Sequence, residues 1–307
     1  MKVLLAAQKP FSKQATDEVK AILTAEGYEF AALEKYEGEA DLCKAIADAD
    51  ALIVRSDKVT AAVVDAAKKL KIVVRAGAGF DNLDLPSCTA HGIVAENTPG
   101  QNSNAVAELA LGLMVYMYRN QYTSGTGKEL KGKTLGLQAY GHVGRLVAGI
   151  ASKGFGMKVQ AFDPYMPAEA IEKDGTHACK SLDELYSTSD FVSLHIPATP
   201  ETKGSIGREL LSKMPKGATL VNTARKEVIN EPELQQTLAD REDLMYVADV
   251  APDCYAALKE QFGNRVFATP KKMGAETAEA NENACTAAGR QIISFFKTGD
   301  KKFQVNK

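Results

Sequence analysis

A chain of 307 residues that is 45% apolar and 25% charged has ordinary globular composition and the length of about two domains. Charge is nearly balanced, 37 Lys+Arg against 39 Asp+Glu for a net of −2, which excludes nucleic-acid binding driven by bulk charge. The longest apolar uncharged run, Leu109 to Tyr118, has ten residues against the roughly 18 of a membrane span, so no membrane partner is expected.

The start, MKVLLAAQKP, imitates a signal peptide only over Val3 to Ala7, too short an apolar core. Cysteines at 43, 88, 179, 254 and 285 are odd in number and form no CxxC pair. They predict neither a disulfide framework nor a metal site, and a cytoplasmic protein.

In chain order, short Val/Ile/Leu-rich runs alternate with helical patterns. Strands are predicted at 2–7, 28–33, 51–56, 71–77 and 92–97, then at 134–139, 158–163, 191–196, 219–224, 245–250 and 265–270. Their almost unbroken apolar character predicts strands covered on both faces, as in parallel α/β sheets. A helix is expected from Thr60 to Leu70, with Val63, Val64 and Ala67 on one face. The turn Thr98-Pro99-Gly100 marks a boundary, and the following helix, about 104–118, is apolar almost all round and reads as buried between two domains. A last helix, about 276–297, is expected to return to the first domain. The predicted fold class is α/β with two doubly wound parallel-sheet domains flanking a cleft. One domain comprises 1–99 with 283–307 and the other 100–282.

The run 134–139 leads into Ala139-Tyr140-Gly141-His142-Val143-Gly144 and a helical RLVAGIASKGF, and the next strand ends at Asp163, nineteen residues after Gly144. That is the layout of a dinucleotide-binding βαβ unit, although Ala139 stands where the first glycine is expected. Glycine admits the pyrophosphate, the helix N-terminus offers amides, and the acid accepts ribose hydroxyls. Asp163 would repel a 2′-phosphate and no arginine follows it, so NAD is expected over NADP.

With these residues in place, the chain from about Leu52 onward resembles the D-isomer-specific 2-hydroxyacid dehydrogenases, most closely their phosphoglycerate dehydrogenase branch. The resemblance rests on VRSDKVTAAVVDAAKKLKIVVRAGAGFDNLDL (54–85) and GIVAENTPGQNSNAVAELALGLM (92–114). It continues through KTLGLQAYGHVGRLVA, SLHIPATPET, LVNTARKEVINEPEL, YVADV and ATPKKMGAE. It implies a flavodoxin-like substrate domain, a Rossmann NAD domain, and a homodimer acting on a small 2-hydroxy acid. Arg225 of NTAR would hold the substrate carboxylate and polarise the C2 oxygen, and Asp249 would face the nicotinamide. Gly141, His142, Val143, Gly144, Asp163, His195, Pro197, Thr223 and Ala224 would contact the cofactor. Arg55, Arg75, Ala76 and Gly77, at the ends of two strands of the first domain, and Lys58, which opens the next helix, would meet a phosphorylated substrate.

Departures from the family pattern are as informative. Where the family has a Pro-His pair with the catalytic histidine, this chain has Pro270-Lys271; where it has the orienting carboxylate, Cys254, beside Asp253. Lys271 is therefore the expected proton-transfer residue. The link between Arg119 and Leu130 is shorter than the family's. An end at Lys307 leaves no room for an appended regulatory domain. The resemblance implies reversible oxidation of 3-phosphoglycerate to 3-phosphohydroxypyruvate, the entry to serine biosynthesis. A glyoxylate or hydroxypyruvate reductase and a non-catalytic, co-repressor-like NAD sensor are the alternatives.

Overall fold

The computed structural model describes residues 1–306 and separates into two compact units. The first comprises Met1–Ser103 and the chain from Glu276 onward, the second Asn104–Ala275. The divisions thus fall at 103/104 and 275/276, against the 99/100 and 282/283 read from the sequence.

The first unit runs β1 (Lys2–Ala7), α1 (Lys13–Ala25), β2 (Glu29–Glu34), α2 (Glu39–Ile46), β3 (Ala51–Val54), α3 (Ala61–Ala66), β4 (Ile72–Arg75), α4 (Leu85–Ala90) and β5 (Val94–Asn97). Its five strands are all parallel, in the order β2-β1-β3-β4-β5. Alternation along the strands divides the core into two layers. Val3, Leu5, Ile53, Ile72 and Val74 join Ala15, Val19 and Leu23 of α1, whereas Leu4, Ala6, Leu52, Val54 and Val73 join Leu42, Ile46, Val63 and Val64 of α2 and α3. Ser12, Thr60 and Asp84 cap α1, α3 and α4 by accepting an amide three residues on. The helix expected over 60–70 ends at Ala66, because Ala67 turns out of the helical region at ψ 74°.

The second unit takes all but the first residue of α5 (Ser103–Tyr118) and continues β6 (Thr134–Gln138), α6 (His142–Phe155), β7 (Lys158–Phe162), α7 (Ala168–Glu172), β8 (His177–Ala178), α8 (Leu182–Thr188), β9 (Phe191–Leu194) and α9 (Arg208–Leu211). β10 (Thr219–Asn222), α10 (Glu231–Asp240), β11 (Met245–Ala248), α11 (Tyr255–Phe262) and β12 (Val266–Ala268) complete it. The seven parallel strands stand in the order β12-β11-β10-β9-β6-β7-β8, so the order reverses between β6 and β9. That reversal is the switch point at which doubly wound sheets bind ligands. α5 places Ala107, Ala110, Leu111 and Met114 in the core of this unit with Leu135, Leu137 and Val147. β8 escaped the sequence reading: two residues, one of them an exposed histidine, carry no period to detect.

α12 (Ala278–Thr298) belongs to the first unit, where Ala284, Cys285, Ala288 and Ile292 pack with α1. A Cβ on Gly289 would lie 2.7 Å from Val19 Cγ2, so this glycine sets how closely the two helices approach. Among the described residues, no helix is long and apolar enough to cross a membrane.

Candidate active site

The glycine turn lies between β6 and α6. Ala139 takes φ +82°, the strained region that glycine would enter freely. A Cβ on Gly144 would come within 2.4 Å of the Ala139 carbonyl oxygen, so this position excludes any side chain. Gly141 is different: a Cβ there would meet no atom within 4 Å, and it caps α6 without a side-chain hydrogen bond. The helix therefore opens on unfilled space, with amides at His142, Val143 and Gly144 that no side chain caps. This cradle suits a pyrophosphate. Asp163, just beyond β7, is pinned by two amides, Tyr140 N–H to Oδ2 at 2.8 Å and Tyr165 N–H to Oδ1 at 2.9 Å. Each oxygen keeps accepting capacity for ribose hydroxyls.

Beside the turn, at the ends of β9 and β10, buried polar atoms stand without partners: His195 Nε2 and Thr223 Oγ1. Such groups are costly unless a ligand or water satisfies them. Burial pushes the His195 pKa down to about 4, which keeps the ring neutral at physiological pH and lowers its basicity. Pro197, exposed, follows in the same loop, its carbonyl accepting from Thr202 Oγ1 at 2.5 Å. These groups fit a nicotinamide dinucleotide: a phosphate cradle, an acid for the ribose, and orphaned polar atoms at the ends of β9 and β10.

Arg225 follows β10 in a turn held by Asn222. Asn222 Oδ1 accepts the Ala224 amide at 3.0 Å, and its Nδ2 donates to the Arg225 carbonyl at 2.9 Å. Arg225 Nη1 donates to the Ala224 carbonyl at 3.1 Å, which folds the guanidinium back over its own turn. Asn222 was not singled out in the sequence, although an Asn two residues before the amide it binds is the signature of an Asx turn.

Asp249, 1% exposed, anchors the segment that carries Lys271. Its Oδ1 accepts from Met273 N–H at 2.7 Å, and its Oδ2 from Gly274 N–H at 2.9 Å. In this structure its carboxylate is committed to the loop. Lys271 is exposed, and its carbonyl accepts from Thr269 Oγ1 at 2.8 Å. Neither Asp253 nor Cys254 serves it. Asp253 pairs with Lys226 at 2.5 Å, while the amides of Asp253 and Cys254 donate to Glu231 at 2.9 and 2.8 Å. Burial and the neighbouring Glu231 carboxylate push the Cys254 thiol up to about 12, so it stays protonated.

In the first unit, Arg55 leaves β3 and gives a two-oxygen ion pair to Glu276, at 3.0 and 3.1 Å. Arg75 Nε donates to the Arg55 carbonyl at 2.9 Å, which brings the two arginines onto neighbouring strand ends. Gly77, at φ +144°, has no room for a Cβ, since the Arg75 guanidinium occupies that space. Ala76 is buried and donates to the Val54 carbonyl at 2.8 Å, whereas Lys58 is exposed. Glu276 is the partner that sequence reasoning missed, because 221 positions separate it from Arg55.

Fold and site together define a dinucleotide-binding α/β protein, with the Asn222-held turn that carries Arg225 at the end of β10, next to β9. Residues 111–271 match the model of the D-isomer specific 2-hydroxyacid dehydrogenase NAD binding domain. The chain belongs to the D-isomer-specific 2-hydroxyacid dehydrogenase family, and NAD is the cofactor of its second unit. It is similar over its whole length to the crystal structure of NAD+-bound 3-phosphoglycerate dehydrogenase from Entamoeba histolytica, at 46% identity and a TM-score of 0.89, covering 99% of that chain. Against D-3-phosphoglycerate dehydrogenase of Methanocaldococcus jannaschii it is 39% identical over 82% of its own length and 51% of the relative's. Against hydroxypyruvate reductase of Thermotoga maritima it is 40% identical, covering 78% of this chain and 82% of that one. The chain spans about half the length of several of the curated relatives it matches.

Proposed function

We propose that the chain catalyses the reversible, NAD-dependent oxidation of 3-phosphoglycerate at C2 to 3-phosphohydroxypyruvate. The observation that carries the reading is the Asn222-held turn, which presents Arg225 at the end of β10, one strand from the order reversal of an NAD-binding unit. A planar guanidinium there binds the substrate carboxylate bidentately and draws charge from the C2 oxygen. NAD, when bound, accepts the hydride from C2. Lys271 takes the hydroxyl proton in oxidation and returns it in reduction, on a loop that Asp249 holds in place. Arg55 and Arg75, with Lys58, supply the cationic groups for the phosphate. The kinship with relatives named as phosphoglycerate dehydrogenases supports this substrate. We propose further that the enzyme is a cytoplasmic homodimer, as sedimentation analysis would establish.

A specific observation favours the second reading, a hydroxypyruvate reductase: Glu276 already neutralises Arg55. NADH-absorbance assays with phosphohydroxypyruvate, hydroxypyruvate and glyoxylate in parallel separate the two. The phosphorylated substrate is expected to have the highest kcat/KM, and Arg55→Ala to raise its KM by at least about tenfold while leaving hydroxypyruvate nearly unchanged. Equal losses for both substrates would remove the phosphate role and favour the second reading.

A further inference from the structure

On the outer edge of the seven-stranded sheet, β8 and the start of α8 bring together three side chains that the dehydrogenase chemistry does not use. His177 and Cys179 are two residues apart along extended chain and share one side of it. Glu184 reaches back from the first turn of α8. One donor atom from each lies within 4.8 Å of the others, and His177 Nε2 is 3.4 Å from Glu184 Oε1. Glu184 is held for this position at both ends. Its amide donates to Ser181 Oγ at 3.1 Å, and its Oε2 accepts the Lys180 amide at 2.7 Å, leaving Oε1 toward His177.

We propose that His177, Cys179 and Glu184 form a binding site for a transition-metal dication of the Zn²⁺ class. One nitrogen, one sulfur and one oxygen donor suit Zn²⁺ or its Co²⁺ substitute and disfavour the hard ions Mg²⁺ and Ca²⁺, which take oxygen. Metal bonds of about 2.0–2.3 Å require the three donors to draw in somewhat, which the exposed His177 ring permits by rotation. Cys179 is buried in the same apolar cluster as Leu185 and Tyr186, which keeps its sulfur from solvent on the inner side. A dication supplies the positive charge that lets the thiol ionise, and its proton leaves to solvent as the metal–sulfur bond forms. Solvent fills the fourth position on the exposed side. The metal would clip the edge strand β8, which pairs with β7 at only two positions, to α8.

The test is titration of the full chain, chelator-treated and reduced, with Co²⁺ followed by Zn²⁺. One equivalent of Co²⁺ is expected to give a near-ultraviolet thiolate-to-cobalt band with the visible bands of a tetrahedral site, both erased by Zn²⁺. Cys179→Ser should abolish the thiolate band. His177→Gln, at an exposed position that leaves the fold intact, should weaken binding by at least about tenfold and remove the Zn²⁺-induced rise in Tm. Absence of the thiolate band in the wild type, or the same affinity in His177→Gln, would overturn the site.

Discussion

At the scale of single residues, two basic side chains compete for the proton, and their surroundings decide between them. His195 lies with its Nε2 buried and unpartnered, and burial holds it neutral down to about pH 4. A ring held neutral this firmly is a weak base, which favours Lys271 for the proton in the proposed reaction. Lys271 is exposed, on a loop that two amide hydrogen bonds to the Asp249 carboxylate keep in place. Lys271→Ala is therefore expected to lower kcat by about 10²–10⁴ with little change in NADH affinity. His195→Ala should keep kcat within a few-fold and weaken cofactor binding. Stopped-flow rates and NADH titrations of both variants give the answer, and reversed phenotypes would transfer the proton to His195.

At the scale of elements, the position of Arg225 depends on a turn more than on a strand. Asn222 is 2% exposed and spends both ends of its amide on the residues that follow it. Asn222→Ala leaves the Ala224 amide and the Arg225 carbonyl without these partners, at a cost of roughly 1–3 kcal/mol in order of magnitude. Because the loss falls on the turn, kcat/KM should drop at least about tenfold while the overall circular dichroism is kept. Asn222→Asp, which restores the acceptor for the Ala224 amide but not the donor, should recover part of the loss. Both sheets were legible from their apolar runs, and the glycine turn from strand, helix and acid in sequence order. What stayed hidden has a common physical cause. The pairs Arg55–Glu276 and Glu231–Cys254 join residues far apart in sequence by side-chain geometry, which no local period encodes. The same holds for the commitment of Asp249 to its loop: a buried aspartate at a strand end reads the same whether it faces a ligand or holds amides of its own chain.

At the scale of the whole molecule, the two units carry buried groups whose titrations pull stability in opposite directions with pH. In the first unit, Glu96 on β5 is 2% exposed with Oε1 unpartnered, under a C-terminal segment that pairs with it through Gln304. Desolvation, and then the Asp300 charge, push its carboxyl from 4.5 up to about 7, against a smaller pull from the Phe303 backbone. Ionising Glu96 costs more in the fold than in the unfolded chain. Its stabilisation is full below about pH 4.5 and is lost as pH rises through about 7. In the second unit, His195 is shifted by burial from 6.5 down to about 4, so its stabilisation is full above about pH 6.5 and is lost as pH falls through about 4. A chain of two units need not unfold as one, and the two slopes then appear in separate transitions. The first unit should lose roughly 1–3 kcal/mol between pH 5 and 8, while the second gains stability up to about pH 6.5. Glu96→Gln cannot ionise and should flatten the first slope while leaving the second. With no tryptophan in the chain, urea unfolding is followed by circular dichroism or tyrosine fluorescence across that range. An unaltered pH slope in Glu96→Gln would assign the dependence to other groups.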